Sequence, residues 1–317
     1  MPPGKPPAPP RSIPAIDVTG APDPQLVQAL SAIAGDVDAM FDALLTAPGD
    51  SRDALIAAMR HATIGGGKRL RPLLLVTTAA MFQVDRTQAM RAAIAIEAVH
   101  AYSLAHDDLP CMDDDAMRHG KPSLHVAFGE ALAVLAGDAL QAFAFEVLSD
   151  HATSGDPFVR AELVQVLASA AGAGGMVGGQ VMDIAGEGQG LDLPAITRLQ
   201  QLKTGALLAA AVEMGAVLGK VPAEGRGHLR RYVRDIGLAF QIADDLLDHA
   251  GDETKAGKAL RKDAAAGKQT FVGLLGEARA REQARLLSEQ AIAHLGQHGQ
   301  EADVLRAVAR YIVERDH

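Results

Sequence analysis

The sequence predicts an all-α protein, with its helices packed as one large bundle. Of its 317 residues, 48% are hydrophobic but only 3% are aromatic and none is Trp, so the core must consist mainly of Ala, Leu, Val and Ile. This composition favours helices. Apolar residues recur with the helical period along most of the chain, and no convincing alternating strand pattern appears.

The predicted helices follow one another between turn signals made of glycine and proline. Those signals are Gly65-Gly66-Gly67, Leu109-Pro110, Gly155-Asp156-Pro157, Gly186 to Pro194 and Gly219 to Pro222. Pro72 suits the first turn of a helix, and Pro110 moves Leu109 away from helical geometry, so one helix begins near residue 70 and another ends near 108. The predicted helices cover residues 25–46, 51–61, 70–82, 87–108, 129–152, 157–172, 175–186, 194–219, 224–249, 268–293 and 299–315.

Only one domain is predicted, over residues 25–317, because no linker rich in Ser, Gly or Pro interrupts that range. Nine of the first 24 residues are Pro, which predicts a disordered Pro-rich arm at residues 1–24. This arm lacks the apolar core of a signal peptide.

The charge and cysteine content restrict the function. A net charge of −9 argues against nucleic acid or an anionic membrane as the main partner. An anionic substrate would therefore need local Lys or Arg and a metal. Cys111 is the only cysteine, so no intramolecular disulfide is available and a cytoplasmic location is predicted.

One segment, Leu163 to Met182, has no formal charge over 20 residues and is long enough to cross a bilayer. Five glycines lower its hydrophobicity, and Glu162 and Asp183 flank it closely. The sequence therefore predicts a buried central helix with a glycine-rich interruption, and not an integral membrane protein.

Two aspartate clusters carry the strongest chemical signal. The first contains Asp107, Asp108 and Asp113, and the second contains Asp244, Asp245 and Asp248. At ~4 Å and an effective dielectric of roughly 20, two carboxylates repel by about 4 kcal/mol, so acids crowded among apolar residues imply cations. Carboxylates without interleaved His or Cys favour Mg²⁺. The alternative is a solvated charged turn at each cluster.

The spacing within each cluster supports the metal interpretation. Asp244 and Asp248 are four residues apart and share a helix face, which is a destabilising like-charge pair unless a cation binds there. Because the preceding helix ends near Pro110, Asp113 must return towards Asp107 from a loop. The alternating ligands, central Gly and terminal Glu of a calcium-binding EF-hand loop are missing.

A basic segment could hold an anion. Three glycines precede Lys68, Arg69 and Arg71, and glycine lets backbone approach a ligand closely. It is not a Walker P-loop, because Ala62 replaces the first Gly and Arg69 replaces Ser or Thr. A solvated basic turn is the alternative. Further candidates are Arg118, Lys203-Thr204-Gly205, Gln241, Lys258 and Lys268, with His100 on nearly the same helix face as Asp107.

Taken together, these segments resemble the trans-isoprenyl diphosphate synthases, and the bacterial farnesyl diphosphate synthases most closely. The resemblance covers roughly residues 30–315. It is carried by Gly66-Gly-Lys-Arg-Leu-Arg-Pro72, the cluster from Asp107 to Asp113, Gly120-Lys-Pro122, Gly178-Gly-Gln180, Lys203-Thr-Gly205 and Phe240 to Asp248.

The resemblance implies an isoprenoid-synthase bundle around a central apolar cavity, a homodimer, and three Mg²⁺ ions with substrate bound. It implies that Asp107, Asp113 and Asp244 are the main metal ligands and that Asp108 and Asp248 complete or orient them. By the same resemblance, the allylic diphosphate lies near Arg118, Lys203, Thr204, Gln241 and Lys258, and isopentenyl diphosphate is bound by Lys68, Arg71 and His100. His119 stands where the family commonly has a second Arg, so this contact is expected to be weaker or pH-dependent.

The implied reaction is Mg²⁺-dependent, head-to-tail condensation of isopentenyl diphosphate with dimethylallyl and geranyl diphosphates to give farnesyl diphosphate. Alternatives are a geranylgeranyl or geranyl diphosphate synthase, a class I terpene cyclase, and a non-catalytic subunit of a heteromeric synthase. A cyclase usually mixes Asn, Ser or Thr and Glu in its second motif, and non-catalytic subunits typically lose one acidic motif. This chain keeps Asp244, Asp245 and Asp248, and both motifs.

Two residues are predicted to limit product length. Tyr102 and Ser103 precede Asp107 by five and four residues, which places them about 6–8 Å below it at ~1.5 Å per residue. Tyr102 would close the floor of the pocket that receives the growing chain, a role the family often gives to an aromatic residue here. The alternative is that Tyr102 is an ordinary core residue.

Overall fold

The computed structural model describes residues 23–250 and 269–314, and the all-α prediction is confirmed. The helices are α1 Pro24–Leu44, α2 Asp53–Thr63, α3 Leu70–Met81, α4 Arg86–Asp107, α5 Leu124–Phe128, α6 Glu130–Ser149, α7 Pro157–Ala171, α8 Met176–Gly186, α9 Leu193–Gln200, α10 Ala206–Leu218, α11 Gly227–Ala250, α12 Phe271–Leu275, α13 Glu277–His294 and α14 Asp303–Glu314. A π-helical turn, Gln201–Gly205, joins α9 to α10, and short 3-10 turns precede α11 and α14. The predicted arm at residues 1–24 lies almost entirely outside the described residues.

Helices α4 and α10 form the centre of the bundle. Most residues of both helices are buried, on all sides of each helix, which is typical of a helix surrounded by other helices. Helix α4 packs against α3 and α6, while α10 packs against α3, α7 and α11. The C-terminal end of α4 and the C-terminal half of α11 carry the two aspartate clusters.

Two predicted helices are interrupted in the structure. The helix predicted over 268–293 is divided into α12 and α13 at Gly276, which has φ +76°. The helix predicted over 129–152 is continuous from Glu130 to Ser149, and Gly129 at φ +84° separates it from the unpredicted helix α5. Glycine adopts this left-handed conformation readily, whereas a residue with a Cβ does so at a cost. The helix predicted over 194–219 contains the π-helical turn.

The structure also contains a short hairpin that the sequence analysis missed. Strands β1 (Met117–Arg118) and β2 (Lys121–Pro122) pair antiparallel, and His119 and Gly120 form the turn at φ 51° and 75°. Strands of two residues are too short to show an alternating pattern. Positive φ at both turn residues matches the tight hairpin turn that this spacing favours.

The uncharged segment from Leu163 to Met182 is divided between α7 and α8, as the glycine-rich interruption predicted. The expectation that it is buried is wrong for α8, where Val177, Val181 and Ile184 are exposed. Within residues 23–250 and 269–314, three helical segments are long and apolar enough to cross a membrane by length and composition alone: Glu130–Ser149, Pro157–Gly186 and Leu193–Leu218. Most of α10, within the last of these, is enclosed by other helices of the bundle.

Candidate active site

The first aspartate cluster folds back on the end of α4. The backbone N–H of Asp113 donates to the carbonyl of Asp107 at 2.8 Å, and that of Asp115 donates to the carbonyl of Asp108 at 3.2 Å. Helix α4 ends at Asp107, in agreement with the effect expected of Pro110. The loop therefore returns Asp113 to the neighbourhood of Asp107, as the spacing predicted.

Asp107 and Asp108 are neighbours in sequence but have different environments. Asp108 is 2% exposed, and Arg118 Nε donates to its two carboxylate oxygens at 3.0 and 3.3 Å. A further bond joins Arg118 Nη2 to Asp108, and the same nitrogen lies 3.2 Å from Asp115 Oδ2. Asp108 is thus already neutralised by Arg118, and it anchors the β1–β2 hairpin to the end of α4.

Asp107 has no comparable partner at bonding distance among the hydrogen bonds and ion pairs of the described residues. Burial raises the pKa of its carboxyl from 3.8 to about 6; the charges of Asp113 and Asp108 add to this increase, and those of Lys203 and Arg118 oppose it. A buried carboxylate that is costly to ionise on its own is stabilised by a nearby cation, so Asp107 is suited to bind one.

The second cluster faces the same space as the first. A cavity of about 300 Å³ is bounded by the acidic loop, the π-helical turn and α11. Gln241 lies one turn before Asp244 on α11 and is 8% exposed. The predicted site residues that line this cavity are Asp113, Arg118, Lys203, Thr204, Gln241, Asp244 and Asp248.

Lys203 and Thr204 lie in the π-helical turn and project into the cavity. Single π-turns within helices occur frequently at functional sites, because the extra residue changes the direction of nearby side chains. Lys203 Nζ lies 2.6 Å from Asp183 Oδ2, on α8. Asp183 also lines the cavity, although its position in the sequence did not indicate a functional role.

The basic glycine loop is joined to the β1–β2 hairpin. Lys121 Nζ donates to the carbonyl of Ile64 at 2.6 Å, and His61 Nε2 lies 2.8 Å from the carbonyl oxygen of Pro122. A Cβ at Gly66 would lie 3.2 Å from the Cβ of His119, so glycine allows the hairpin to approach this closely. Gly66, His119 and Lys121 line a second cavity of about 40 Å³.

Arg118 lines both cavities, so the two are neighbours. Arg71 and His100 lie close to this region and are desolvated. Burial lowers the pKa of Arg71, and it lowers that of His100 well below 6.5, with Arg71 and His119 adding to the effect. The buried Nε of Arg71 has no hydrogen-bond partner among the described residues. This is the kind of donor that an anionic ligand can satisfy.

Arg69, although part of the same basic segment, is occupied by the protein. It adopts φ 49°, is 6% exposed, and pairs with Glu97 and Asp38 at 2.8 Å each. Its guanidinium also donates to the carbonyl of Thr63. Arg69 therefore stabilises the loop that carries its neighbours. Glu97 is a single acidic residue in an apolar helical segment, so the sequence could have indicated that it pairs with a buried cation.

Some predicted site residues are not brought to either cavity. Tyr102 and Ser103 line neither of the two cavities described above: the Tyr102 ring packs against His106 at 5.8 Å between centroids, and Ser103 Oγ donates to the carbonyl of His100 at 2.9 Å. Lys68 is exposed on the glycine loop. Lys258 lies outside the described residues.

The donor set is compatible with Mg²⁺. Within residues 23–250 and 269–314, no group of three His, Cys, Asp or Glu side chains converges closely enough to hold a metal ion by itself. However, Mg²⁺ normally takes one or two carboxylates, and water and phosphate oxygens complete its coordination. Asp113, Asp244 and Asp248 line the first cavity and can supply such ligands. Asp107 lines neither cavity, but it adjoins Asp113 through the backbone hydrogen bond described above.

Comparison with known proteins agrees with this geometry. Residues 52–312 match the polyprenyl synthetase family. The chain is 43% identical over 270 residues to the farnesyl diphosphate synthase of Escherichia coli (strain K12), which is 83% of this chain and 89% of that protein.

Two solved structures share the fold. A crystal structure of an FPP/GFPP synthase from Zymomonas mobilis is 54% identical, with a TM-score of 0.83 and coverage of 91% of this chain and 99% of that one. A geranyltransferase from Helicobacter pylori, complexed with magnesium and isoprenyl diphosphate, is 32% identical, with a TM-score of 0.76 and coverage of 90% and 96%.

Proposed function

Because the chain belongs to the polyprenyl synthetase family and is therefore a prenyltransferase, we propose that it joins isopentenyl diphosphate to dimethylallyl and geranyl diphosphates to make farnesyl diphosphate. Prenyl chain elongation is the reaction class of the relatives. The observation that carries the specific proposal is one cavity lined by acidic groups from both aspartate clusters, next to a smaller cavity with basic side chains that shares Arg118.

The first cavity is the proposed site of the allylic diphosphate. Asp107 and Asp113 on one side, and Asp244 and Asp248 on the other, are the groups that would hold Mg²⁺. When bound, Mg²⁺ would neutralise the charge that develops on the departing diphosphate. Asp108 orients this site through Arg118 and does not need to contact the metal.

The protein's own groups support ionisation of the allylic C–O bond. Lys203 contributes a cation within the cavity and Arg118 a second one, and both would attract the departing diphosphate. The hydroxyl of Thr204 and the side-chain carbonyl of Gln241 are dipoles positioned to face the allylic cation. The proposed reaction requires that water be excluded once the substrates bind, because water would otherwise trap that cation.

The second cavity is the proposed site of isopentenyl diphosphate. His119 lines this cavity, Arg71 and His100 lie within electrostatic reach of it, and Lys68 is on the adjoining loop. The double bond of isopentenyl diphosphate attacks the terminal carbon of the allylic cation, forming the new C–C bond. The resulting tertiary cation then loses a proton, for which the released diphosphate is the proposed base.

Product chromatography tests this proposal. Purified protein with isopentenyl and dimethylallyl diphosphates and Mg²⁺ should give farnesyl diphosphate as the main product. Geranylgeranyl diphosphate as the main product would identify a geranylgeranyl-type enzyme, an alternative consistent with the geranylgeranyl synthases among the relatives. Cyclic hydrocarbons would indicate a terpene cyclase, and no product without a second chain would indicate a non-catalytic subunit.

We also propose that the protein is a cytoplasmic homodimer and not an integral membrane protein. Exposed apolar side chains occur on α6 at Val134 and Leu135 and on α8 at Val177, Val181 and Ile184, and a second copy would cover them. Light scattering of the purified protein without detergent tests the assembly, with a mass of twice 33.0 kDa as the expected result.

A further inference from the structure

Helix α8 contacts the π-helical turn through its backbone. A Cβ at Gly179 would lie 2.2 Å from the backbone nitrogen of Lys203 and 2.5 Å from its Cα. Backbone atoms cannot move aside as the end of a flexible side chain can, so only glycine permits this approach. The motif Gly178-Gly-Gln180 thus has a structural explanation: Gly179 allows the π-helical turn that carries Lys203 to pack directly against the backbone of α8.

One helical turn later, the same helix contacts the side chain of Lys203. Asp183 is four residues after Gly179, so it lies on the same face of α8. Its Oδ2 lies 2.6 Å from Lys203 Nζ, and the two side chains are 13% and 27% exposed. An ion pair this shielded is much less weakened by water and salt than a surface pair. Helix α8 therefore fixes both the backbone and the ammonium of Lys203.

The position of this ammonium matters because other carboxylates compete for it. Lys203 is the strongest of the charges that lower the pKa of Asp107, so its ammonium also lies within electrostatic reach of the acidic loop. Without Asp183, the flexible lysine would be attracted towards Asp107 and Asp113. There it would oppose the binding of a cation to the same carboxylates.

We propose that Asp183 is a positioning residue that holds the Lys203 ammonium on the α8 side of the cavity, away from the carboxylates that receive the cation and in place to bind the diphosphate. A lysine ammonium has three N–H donors. One is directed to Asp183, which leaves the others for diphosphate oxygens. The arrangement reduces the freedom that the long side chain would lose on binding. This inference rests on the proposed function in taking diphosphate as the ligand of the cavity and Asp107 and Asp113 as the carboxylates that receive the cation.

The test is a double-mutant cycle with inorganic pyrophosphate as the probe, measured by calorimetry at a fixed Mg²⁺ concentration. Asp183→Asn keeps the shape of the side chain and removes its charge, and Lys203→Gln removes the ammonium. Each single variant should weaken pyrophosphate binding about 10- to 100-fold, as expected for one charge-assisted hydrogen bond in a shielded site. The double variant should bind no more weakly than Lys203→Gln alone.

The matched control is Asp36→Asn, which breaks an exposed Asp–Arg pair with Arg86 far along the chain from the cavity residues. It should not change pyrophosphate affinity. Thermal unfolding of every variant identifies any that fails to fold, and a Mg²⁺ titration adds a second measurement: Asp183→Asn should need more Mg²⁺ than wild type to reach half-saturation.

Two results would overturn the proposal. If the effects of Asp183→Asn and Lys203→Gln add in the double variant, Asp183 contacts the ligand or metal independently of Lys203. If Asp183→Asn folds and binds pyrophosphate as wild type does, the ion pair has no role in binding. Both decisions rest on affinity alone, so they remain valid even if the wild type fails to condense prenyl diphosphates, the result that would refute the proposed function.

Discussion

Replacing Asp107 by Asn should stabilise the metal-free protein against unfolding above pH 6, and it should abolish most of the enzymatic activity. Burial raises the pKa of Asp107 from 3.8 to about 6. The folded protein therefore binds this proton more tightly than the unfolded chain, and stability decreases as pH rises from about 4 to about 6. A difference of about two pKa units, at ~1.36 kcal/mol each, means that ionised Asp107 lowers the free energy of unfolding by about 3 kcal/mol above pH 6.

Asn removes that cost because it is nearly the same shape and stays neutral. Asp107 also ends α4, where a negative charge opposes the helix dipole. We expect Asp107→Asn to raise the free energy of unfolding by about 1–3 kcal/mol at pH 8 in the presence of a chelator, and to have almost no effect near pH 4. For a chain of this size, the midpoint of thermal unfolding should rise by roughly 2–6 °C.

The assay is denaturant unfolding of both proteins across pH 4 to 8 without divalent cations. Asp114→Asn is the control: Asp114 is exposed in the same loop, and its φ of 49° is one that Asn also tolerates. Added Mg²⁺ and pyrophosphate should then stabilise the wild type and not Asp107→Asn. Equal stability of the two proteins at pH 8 would refute the argument that Asp107 is a desolvated carboxylate awaiting a cation.

Three further outcomes are expected. Asp244→Ala should lower turnover by several powers of ten with an unchanged circular dichroism spectrum, and near-normal turnover at saturating Mg²⁺ would remove it from the metal site. Burial and then Arg118 and Arg69 lower the pKa of His119, so its side chain becomes cationic only at acidic pH. The wild-type KM for isopentenyl diphosphate should therefore fall as pH drops below 6.5, and His119→Arg should flatten this dependence. Parallel KM profiles of the two proteins would argue against a role for His119 protonation. Tyr102→Ala should lengthen the longest product by at least one five-carbon unit relative to a Tyr311→Ala control; an active variant that still stops at farnesyl diphosphate would show that another residue limits chain length.

Local sequence was sufficient for the features that depend on neighbours along the chain. The helical period predicted the all-α class, Pro110 predicted the end of α4, and the four-residue spacing of Asp244 and Asp248 placed both on one helix face that lines the cavity. Each of these follows from backbone geometry over a few residues, which a sequence states directly.

Features that depend on distant partners required the tertiary structure. Asp183 and Lys203 are 20 residues apart, and Arg69 meets Glu97 and Asp38 at separations of 28 and 31. The π-helical turn also gave no local signal, because the sequence predicted one continuous helix over residues 194–219. Burial and charge partners are set by packing, and packing joins segments whose spacing in the sequence carries no distance information.

The adjacent pair Asp107 and Asp108 shows this limit most clearly. The sequence alone determined that an acidic motif ends a helix beside a loop, and it indicated a cation site. It could not distinguish two identical neighbouring residues. Only the folded chain brings Arg118 onto Asp108 and leaves Asp107 desolvated with a raised pKa, because the β1–β2 hairpin brings its guanidinium to bonding distance of Asp108 and not of Asp107.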